Sequence, residues 1–390
     1  MPNLLLLALL ATFPAMSTDM YLPAIPTLQK IWGISLVEAN VSLVAFFLSF
    51  SGFLLIHGPL SDRVGRKPVL LGGITIFIIG CLLCSTAQSI TWLVAARIIQ
   101  AAGAAAAFTL SLALSKDLYE GPERQKILAW VGVILALSPM LAPTLGSWLL
   151  LVASWRWIFV CQAILAVISL YGSFKLEEPL KVKTRGGVFA VASRYLILLK
   201  NTRYLVYTLS FSLMTLGHFA FIGGSPDIFI TGYGVSAQAF GYYFGLNALG
   251  LMLGSFTCSR FCGGLKPLQI LTISLSGMLV AATFLTIEGG SSPIWFVGPM
   301  LVMSYLLGLS RPISNNMILE EVDQDVGTAS SFLTFTIFII GAVSMQFIAF
   351  DWSNKPAMIG KLALIGVSIP LITMWAMNVI TRRRVLKSNK

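Results

Sequence analysis

Long unbroken apolar runs alternate with short polar connections along the whole chain. Each run of about 20 residues is long enough to cross the hydrocarbon of a bilayer as a helix. The runs are solid, not alternating residue by residue, so a transmembrane β-barrel is excluded. They predict twelve spans: 4–24, 38–60, 69–87, 90–114, 127–151, 157–176, 204–223, 238–259, 268–287, 292–313, 328–350 and 358–380. The longest polar stretch, 177–203, has six spans before it and six after. This predicts an all-α integral membrane protein of two six-helix bundles, residues 1–176 and 204–381, joined by a linker at 177–203 and followed by a basic tail at 382–390. The first span lacks a basic leader, is long and contains Asp19, so it reads as a retained helix and not as a cleaved signal.

Composition agrees with this reading. Of 390 residues, 57% are hydrophobic and 11% charged, less than half the charge of an ordinary soluble domain. An ordinary cytosolic enzyme, a disordered chain and a secreted disulfide scaffold are excluded. The net charge of +11 finds its explanation in topology and needs no nucleic-acid partner. With the N-terminus inside, 21 of the 26 Lys and Arg residues fall on the cytoplasmic side, Arg311 among them, whereas Lys30, Arg156, Lys355 and Lys361 fall outside. That asymmetry predicts both termini in the cytoplasm, with the lipid bilayer as the partner of the basic loops.

Charges inside a span are costly and mark functional cavities, at about 2.5–3.5 kcal/mol each on insertion scales. Asp19 and Arg97 are the acid and the base so placed, roughly 8 and 10 Å below the outer surface at 1.5 Å per residue. They are expected to share one cavity, with Gln100 beside Arg97 at i, i+3. Asp19 reads as a proton carrier. The blander alternative is an ion pair that only holds helices together.

The loop from Gly58 to Lys67, G-P-L-S-D-R-V-G-R-K, is the second signal. Gly58 permits close helix approach and Gly65 a turn of positive φ. Asp62 among Arg63, Arg66 and Lys67 suits a helix N-terminus or an arginine across an interface, so the cluster can latch two bundles. Cys81, Cys84, Cys258 and Cys262 read as packing residues, since a redox or zinc site would need further partners and water. Tyr21, His218, Asp227 and Asn247 are candidates for a cavity, with Phe211, Phe219, Phe221, Tyr242, Tyr243 and Phe244 as aromatic lining. No metal site, no P-loop for ATP and no nucleophile–base pair is present, so the chain does not read as an enzyme.

The loop at 58–67 resembles the signature loop of the major facilitator superfamily. Thr18-Asp19-Met20-Tyr21-Leu22-Pro23-Ala24-Ile25-Pro26 is similar to the first-helix motif of its bicyclomycin-resistance (Bcr/CflA) drug:H+ antiporter family. Arg97-Ile98-Ile99-Gln100-Ala101-Ala102-Gly103-Ala104 resembles that family's helix-four motif, and Asp117-Leu118-Tyr119 its cytoplasmic end. The segment from Ser138 to Gly146, with Pro139 and Pro143, resembles the helix-five antiporter segment, and Ser225-Pro226 the motif after helix seven. The resemblance implies Asp19 as coupling or substrate-binding acid, Arg97 as its partner, and Asp62, Arg63, Arg66, Lys67 and Asp117 as a cytoplasmic gate. It also implies a monomeric exporter of small amphipathic compounds in the bacterial inner membrane, driven by the proton gradient without a cofactor. The sequence departs from the pattern at Ala101 in place of Gly, at Asp227 where an aromatic is common, and at Ala11, where some multidrug members carry a second acid. A dedicated carrier of one metabolite, such as a nucleoside or a siderophore, is the rival on the same fold. A non-transporting receptor or scaffold is the rival from another class.

Overall fold

The computed structural model describes residues 3–180, 188–261, 264, 266–322 and 325–388. Among the described residues twelve long helices follow one another: α1 Leu4–Trp32, α2 Leu36–Val64, α3 Arg66–Ser85, α4 Ile90–Asp117, α5 Gly121–Val152, α6 Arg156–Phe174, α7 Thr202–Gly232, α8 Ala237–Phe261, α9 Pro267–Glu288, α10 Pro293–Leu319, α11 Val326–Ile348 and α12 Lys355–Ser388. Eleven of them are apolar and long enough to cross a membrane by that criterion alone. The remaining one, α8, has 25 residues, about 37 Å at 1.5 Å per residue. It carries Asn247 and a run of glycines that dilute its hydropathy. Between α6 and α7 a short helix, Val188–Leu198, runs through the linker; residues 181–187 of the linker and 389–390 of the tail lie outside the described residues.

Several helices are longer than their apolar runs, because backbone hydrogen bonding continues past the last apolar residue. α1 carries on through Pro23 and Pro26, since a proline in the first turn of a helical segment forfeits an N–H that has no partner there anyway. It is α-helical over Leu4–Asp19, tightens to a 3₁₀ turn at Leu22–Ala24, and resumes at Ile25–Trp32. α10 continues to Leu319, six residues past the predicted end at 313, which places Arg311 eight residues inside its end. At the start of α2 the Ser35 hydroxyl accepts from the Glu38 N–H at 3.2 Å, while the Glu38 carboxylate accepts from the Ser35 N–H at 2.8 Å. This capping box starts the helix sharply.

The two halves repeat one packing pattern. α1 packs on α5 as α7 packs on α11; α2 on α4 as α8 on α10; α3 on α4 and α6 as α9 on α10 and α12. The halves meet along two seams related by the same symmetry, α5 against α8 and α11 against α2. The α5–α8 seam is close because Gly241 and Gly245 face the backbone of Thr144 and Met140, where a Cβ would stand only 3.0 and 3.1 Å away. Hydrogen bonds close both seams at one end. Asn40 of α2 donates to the carbonyls of Gly223 and Met345 at 3.0 and 3.1 Å, Gln346 to Val37 at 3.2 Å, and Gln238 to Ser147 at 3.1 Å. At the other end, which carries the 58–67 loop, the halves part around a cavity of about 480 Å³.

Candidate functional site

The break in α1 organises the interior of the first half. Where the helix tightens, the Tyr21 N–H bonds to the Thr18 carbonyl at 3.1 Å instead of the Ser17 carbonyl, its partner in a regular α-helix. The Ser17 oxygen is thereby freed, and Arg97 of α4 takes it: its Nη1 donates to Ser17 O at 2.8 Å and to Gln100 Oε1 at 2.6 Å. Gln100 Nε2 donates to Gln162 Oε1 at 2.8 Å, and Gln162 Nε2 to the Met16 carbonyl at 3.0 Å. Three side chains from α4 and α6 therefore hold the α1 backbone just before Asp19. Arg97 is fully buried. Its Nε and Nη2 have no hydrogen-bond partner among the described residues, but its guanidinium lies 4.3 Å from the Phe46 ring centre and 5.2 Å from that of Tyr21, a cation–π arrangement. From the other side Gly146 of α5 meets the Met20 backbone so closely that no Cβ would fit.

Asp19 is 5% exposed. It forms no ion pair with Arg97, and its one hydrogen-bond contact among the described residues is the Thr18 hydroxyl at 3.0 Å. Tyr21 is buried within the first half, its hydroxyl 2.9 Å from Ser42 Oγ. Cys81 accepts from Gln100 Nε2 at 3.1 Å, so this cysteine packs against the same network. Gln162 and Asn40 carry much of the interior hydrogen bonding and were not singled out by sequence. Both are polar residues in apolar runs, a signal present for amides as well as for charges.

At the open end, Arg66 gathers the signature loop. Its guanidinium pairs with Asp62 at 2.5 Å and Asp117 at 2.7 Å, and donates to Ser61 Oγ at 2.6 Å. These pairs stay within the first half. Gly65 has φ +125°, and a side chain there would strike Glu178 at 2.6 Å. The reason is that Glu178, just after α6, accepts from the N–H groups of Arg66 and Lys67 at 2.9 and 3.0 Å and so caps α3. Lys67 Nζ donates to the Phe174 carbonyl at 2.9 Å. Gly58, Asp62, Arg63, Arg66 and Asp117 line one wall of the cavity, and Asp325, Ser330 and Thr334 the other. Arg194 of the linker helix bridges across to Asp325 at 3.4 Å, with both side chains about half exposed.

In the second half Asp227 is tied to Lys355 at 2.5 Å, joining the end of α7 to the start of α12. Asn247 accepts from Ser304 of α10. His218 lies on α7, its buried Nδ1 without a hydrogen-bond partner among the described residues. Of the aromatic candidates, Phe219 stands at the seam, 5.7 Å from Phe47 and 6.0 Å from Phe338. Phe221 and Phe244 stack on each other at 5.4 Å inside the half, and Tyr242 is exposed. Phe47, Phe50 and Phe338, absent from the sequence expectation, complete the seam cluster.

Two symmetry-related bundles, a buried acid beside a helix break, and a cavity open at one end define a multi-pass transporter and not an enzyme. The chain belongs to the Major Facilitator Superfamily, whose family model matches residues 7–345. It is 30% identical over 93% of its length, and 94% of the relative's, to "Uncharacterized MFS-type transporter YdgK" of Bacillus subtilis (strain 168). It is 29% identical over 89% of its length, and 88% of the relative's, to a bicyclomycin resistance protein homolog of Haemophilus influenzae (strain ATCC 51907 / DSM 11121 / KW20 / Rd). In fold it resembles a crystal structure of a D-xylose–proton symporter, with a TM-score of 0.70 at 18% identity, covering 96% of this chain and 97% of that one. Transporters of this family carry small molecules across membranes.

Proposed function

We propose that the protein exports small amphipathic compounds across the bacterial inner membrane in exchange for protons, working as a monomer by alternating access. Its two bundles are residues 1–176 and 204–381, and its basic loops and both termini face the cytoplasm. On that orientation the cavity at the 58–67 loop opens inward and the Asn40 seam closes the outside. The observation that carries the reading is Asp19: a buried acid with no cationic partner among the described residues, placed where α1 leaves its regular geometry. The Thr18 hydroxyl has one hydrogen and three oxygens within reach, those of Pro14, Ala15 and Asp19. When that hydrogen goes to a backbone carbonyl, Asp19 keeps its contact with Thr18 by donating a proton of its own. Asp19 can thus change between donor and acceptor without moving a helix. The similarity to a bicyclomycin resistance protein homolog supports an antibacterial compound as cargo.

The test uses purified protein in liposomes with an imposed pH gradient and an internal pH-sensitive dye. Addition of substrate triggers proton flux in the wild type, and Asp19→Asn abolishes it. A mutant that couples like the wild type removes Asp19 from the mechanism. The second reading, a carrier dedicated to one metabolite, draws on Ala11, which leaves Asp19 without a second acid about two turns earlier on the first helix. In a screen that reading predicts flux with one solute and with no unrelated compounds.

A further inference from the structure

Pro59 leaves one carbonyl of α2 without its helical donor. In an α-helix the N–H of residue i bonds to the carbonyl of residue i−4, so the oxygen of Leu55 depends on residue 59. That residue is a proline inside the helix and has no N–H to give. A carbonyl left in this way takes its donor from another part of the chain or from water. Here the linker supplies one: the Tyr195 hydroxyl donates to the Leu55 oxygen at 3.5 Å. The bond is long, at the outer edge of hydrogen-bonding distance.

The short helix that carries Tyr195, Val188–Leu198, is anchored on the other half. Leu198 is buried in the core. Just beyond it, Asn201 donates to the Glu321 carbonyl at 2.7 Å and accepts from the Tyr204 N–H at 3.1 Å, which ties the linker's end to the residues after α10 and starts α7. Arg194 reaches Asp325, just before α11, at 3.4 Å. Two neighbouring side chains therefore span the cavity mouth, Arg194 toward the second half and Tyr195 toward the first. Both line the cavity together with Gly58 and Pro59 of α2 and Ser331 and Thr334 of α11. The α2 and α11 walls cannot meet while these side chains stand between them.

We propose that Tyr195 is a strut: bonded to the Leu55 carbonyl that Pro59 sets free, it props the cavity mouth open, and the mouth closes only when this bond is released. The inference rests on the alternating-access reading above and adds to it a part that lies outside both bundles. It also gives Pro59 a task within the 58–67 loop that the charged residues there do not share. Because the bond is single, neutral and long, it biases the two conformers without fixing either. Losing one interhelical hydrogen bond of average strength in a membrane changes a conformer ratio about threefold. With an N–H at position 59 the Leu55 oxygen has its helical donor back and gains little from Tyr195.

The experiment places spin labels at Val64 of α2 and Val326 of α11, both about half exposed. They are carried by noncanonical residues, so the native cysteines stay. Distances are read on the full-length protein in liposomes at acidic and at neutral pH. The wild type shows a long and a short distance in exchange, the mouth open and the mouth closed. Tyr195→Phe, which removes the hydroxyl and keeps the ring, raises the short-to-long ratio about threefold. In a Pro59→Ala background the same substitution leaves the ratio where it was, because residues that act through one bond are not additive. The proposal is overturned if Tyr195→Phe leaves the wild-type ratio unchanged or favours the long distance. An equal shift in both backgrounds overturns it too, since the hydroxyl then acts on something other than the carbonyl that Pro59 frees. Failure of the two readings is distinguishable. Two exchanging distances indifferent to Tyr195 keep alternating access and sink the strut alone, while a single distance that neither pH nor substitution moves sinks both.

Discussion

Arg97 holds the backbone of Ser17 and not the carboxylate of Asp19 two residues further on: its Nη1 lies 2.8 Å from the Ser17 carbonyl, and no ion pair joins it to the acid. The arginine therefore works by geometry at least as much as by charge. It satisfies a carbonyl that the tightened turn of α1 has released, it orients Gln100, and it rests on the Phe46 ring. Asp19 is left unneutralised beside a backbone whose shape is fixed by its neighbours.

Arg97→Lys tests that distinction. Lysine keeps the charge but is a point donor without a planar fork, so it cannot serve Ser17, Gln100 and the Phe46 face together. Substrate-driven proton flux is expected to fall at least about tenfold, and thermal stability in detergent to drop. A lysine variant as active as the wild type shows that positive charge alone suffices.

Gly146→Val attacks the same break from α5. A Cβ there collides with the Met20 carbonyl, and close backbone contact is what small residues provide between membrane helices. The helix must back away, which costs about 1–3 kcal/mol as overpacking does. Melting temperature and proton flux are expected to fall together, while Gly132→Val, with open space around it, leaves both intact.

Asn40→Ala removes two hydrogen bonds that close the seam between the halves. Interhelical hydrogen bonds in membranes average about 0.6 kcal/mol, so the pair shifts the balance of conformers by roughly sevenfold when converted at 1.4 kcal/mol per decade. Spin labels on α2 and α11 at that end are expected to report a larger population of long distances. An unchanged distribution makes the seam's packing, not Asn40, the closing element.

Glu178→Gln leaves one oxygen able to cap α3 but removes the charge at its N-terminus, a loss of about 0.3–1 kcal/mol. Global stability should hardly change. Protease or hydrogen-exchange protection of the Gly65–Pro68 turn is expected to drop, and equal protection in both proteins assigns the turn's order to Gly65 alone.

The spans were legible because hydrocarbon imposes a length and a composition on every crossing helix. Their ends were less so. The tenth span was read as ending at 313, two residues past Arg311, yet α10 runs on to Leu319, since helices end where hydrogen bonding ends and not where hydropathy drops. Asp62, Arg66 and Asp117 could be grouped from the loop pattern, and the structure brings them together. Their capping partner Glu178 could not be found this way, because it belongs to the linker, more than a hundred residues away in sequence. Asn40 and Gln162 were overlooked for a different reason. Charges announce themselves in an apolar run, whereas an amide costs less and still binds two backbone strands. The capping box at Ser35 and Glu38 was readable, and would have fixed the start of α2 to the residue.

The α5–α8 seam has a consequence for speed. Gly241 and Gly245 bring no side chains of their own to the Met140–Thr144 backbone, so at these two positions the face is closer to a smooth bearing than to a set of gear teeth. Interdigitated side chains must climb out of one another before two helices can tilt, but a face with few of them can roll with little to unlock. If the halves rock as proposed, the hydrogen bonds at the ends of the seams are the part that has to break, and the bearing between them sets little toll of its own.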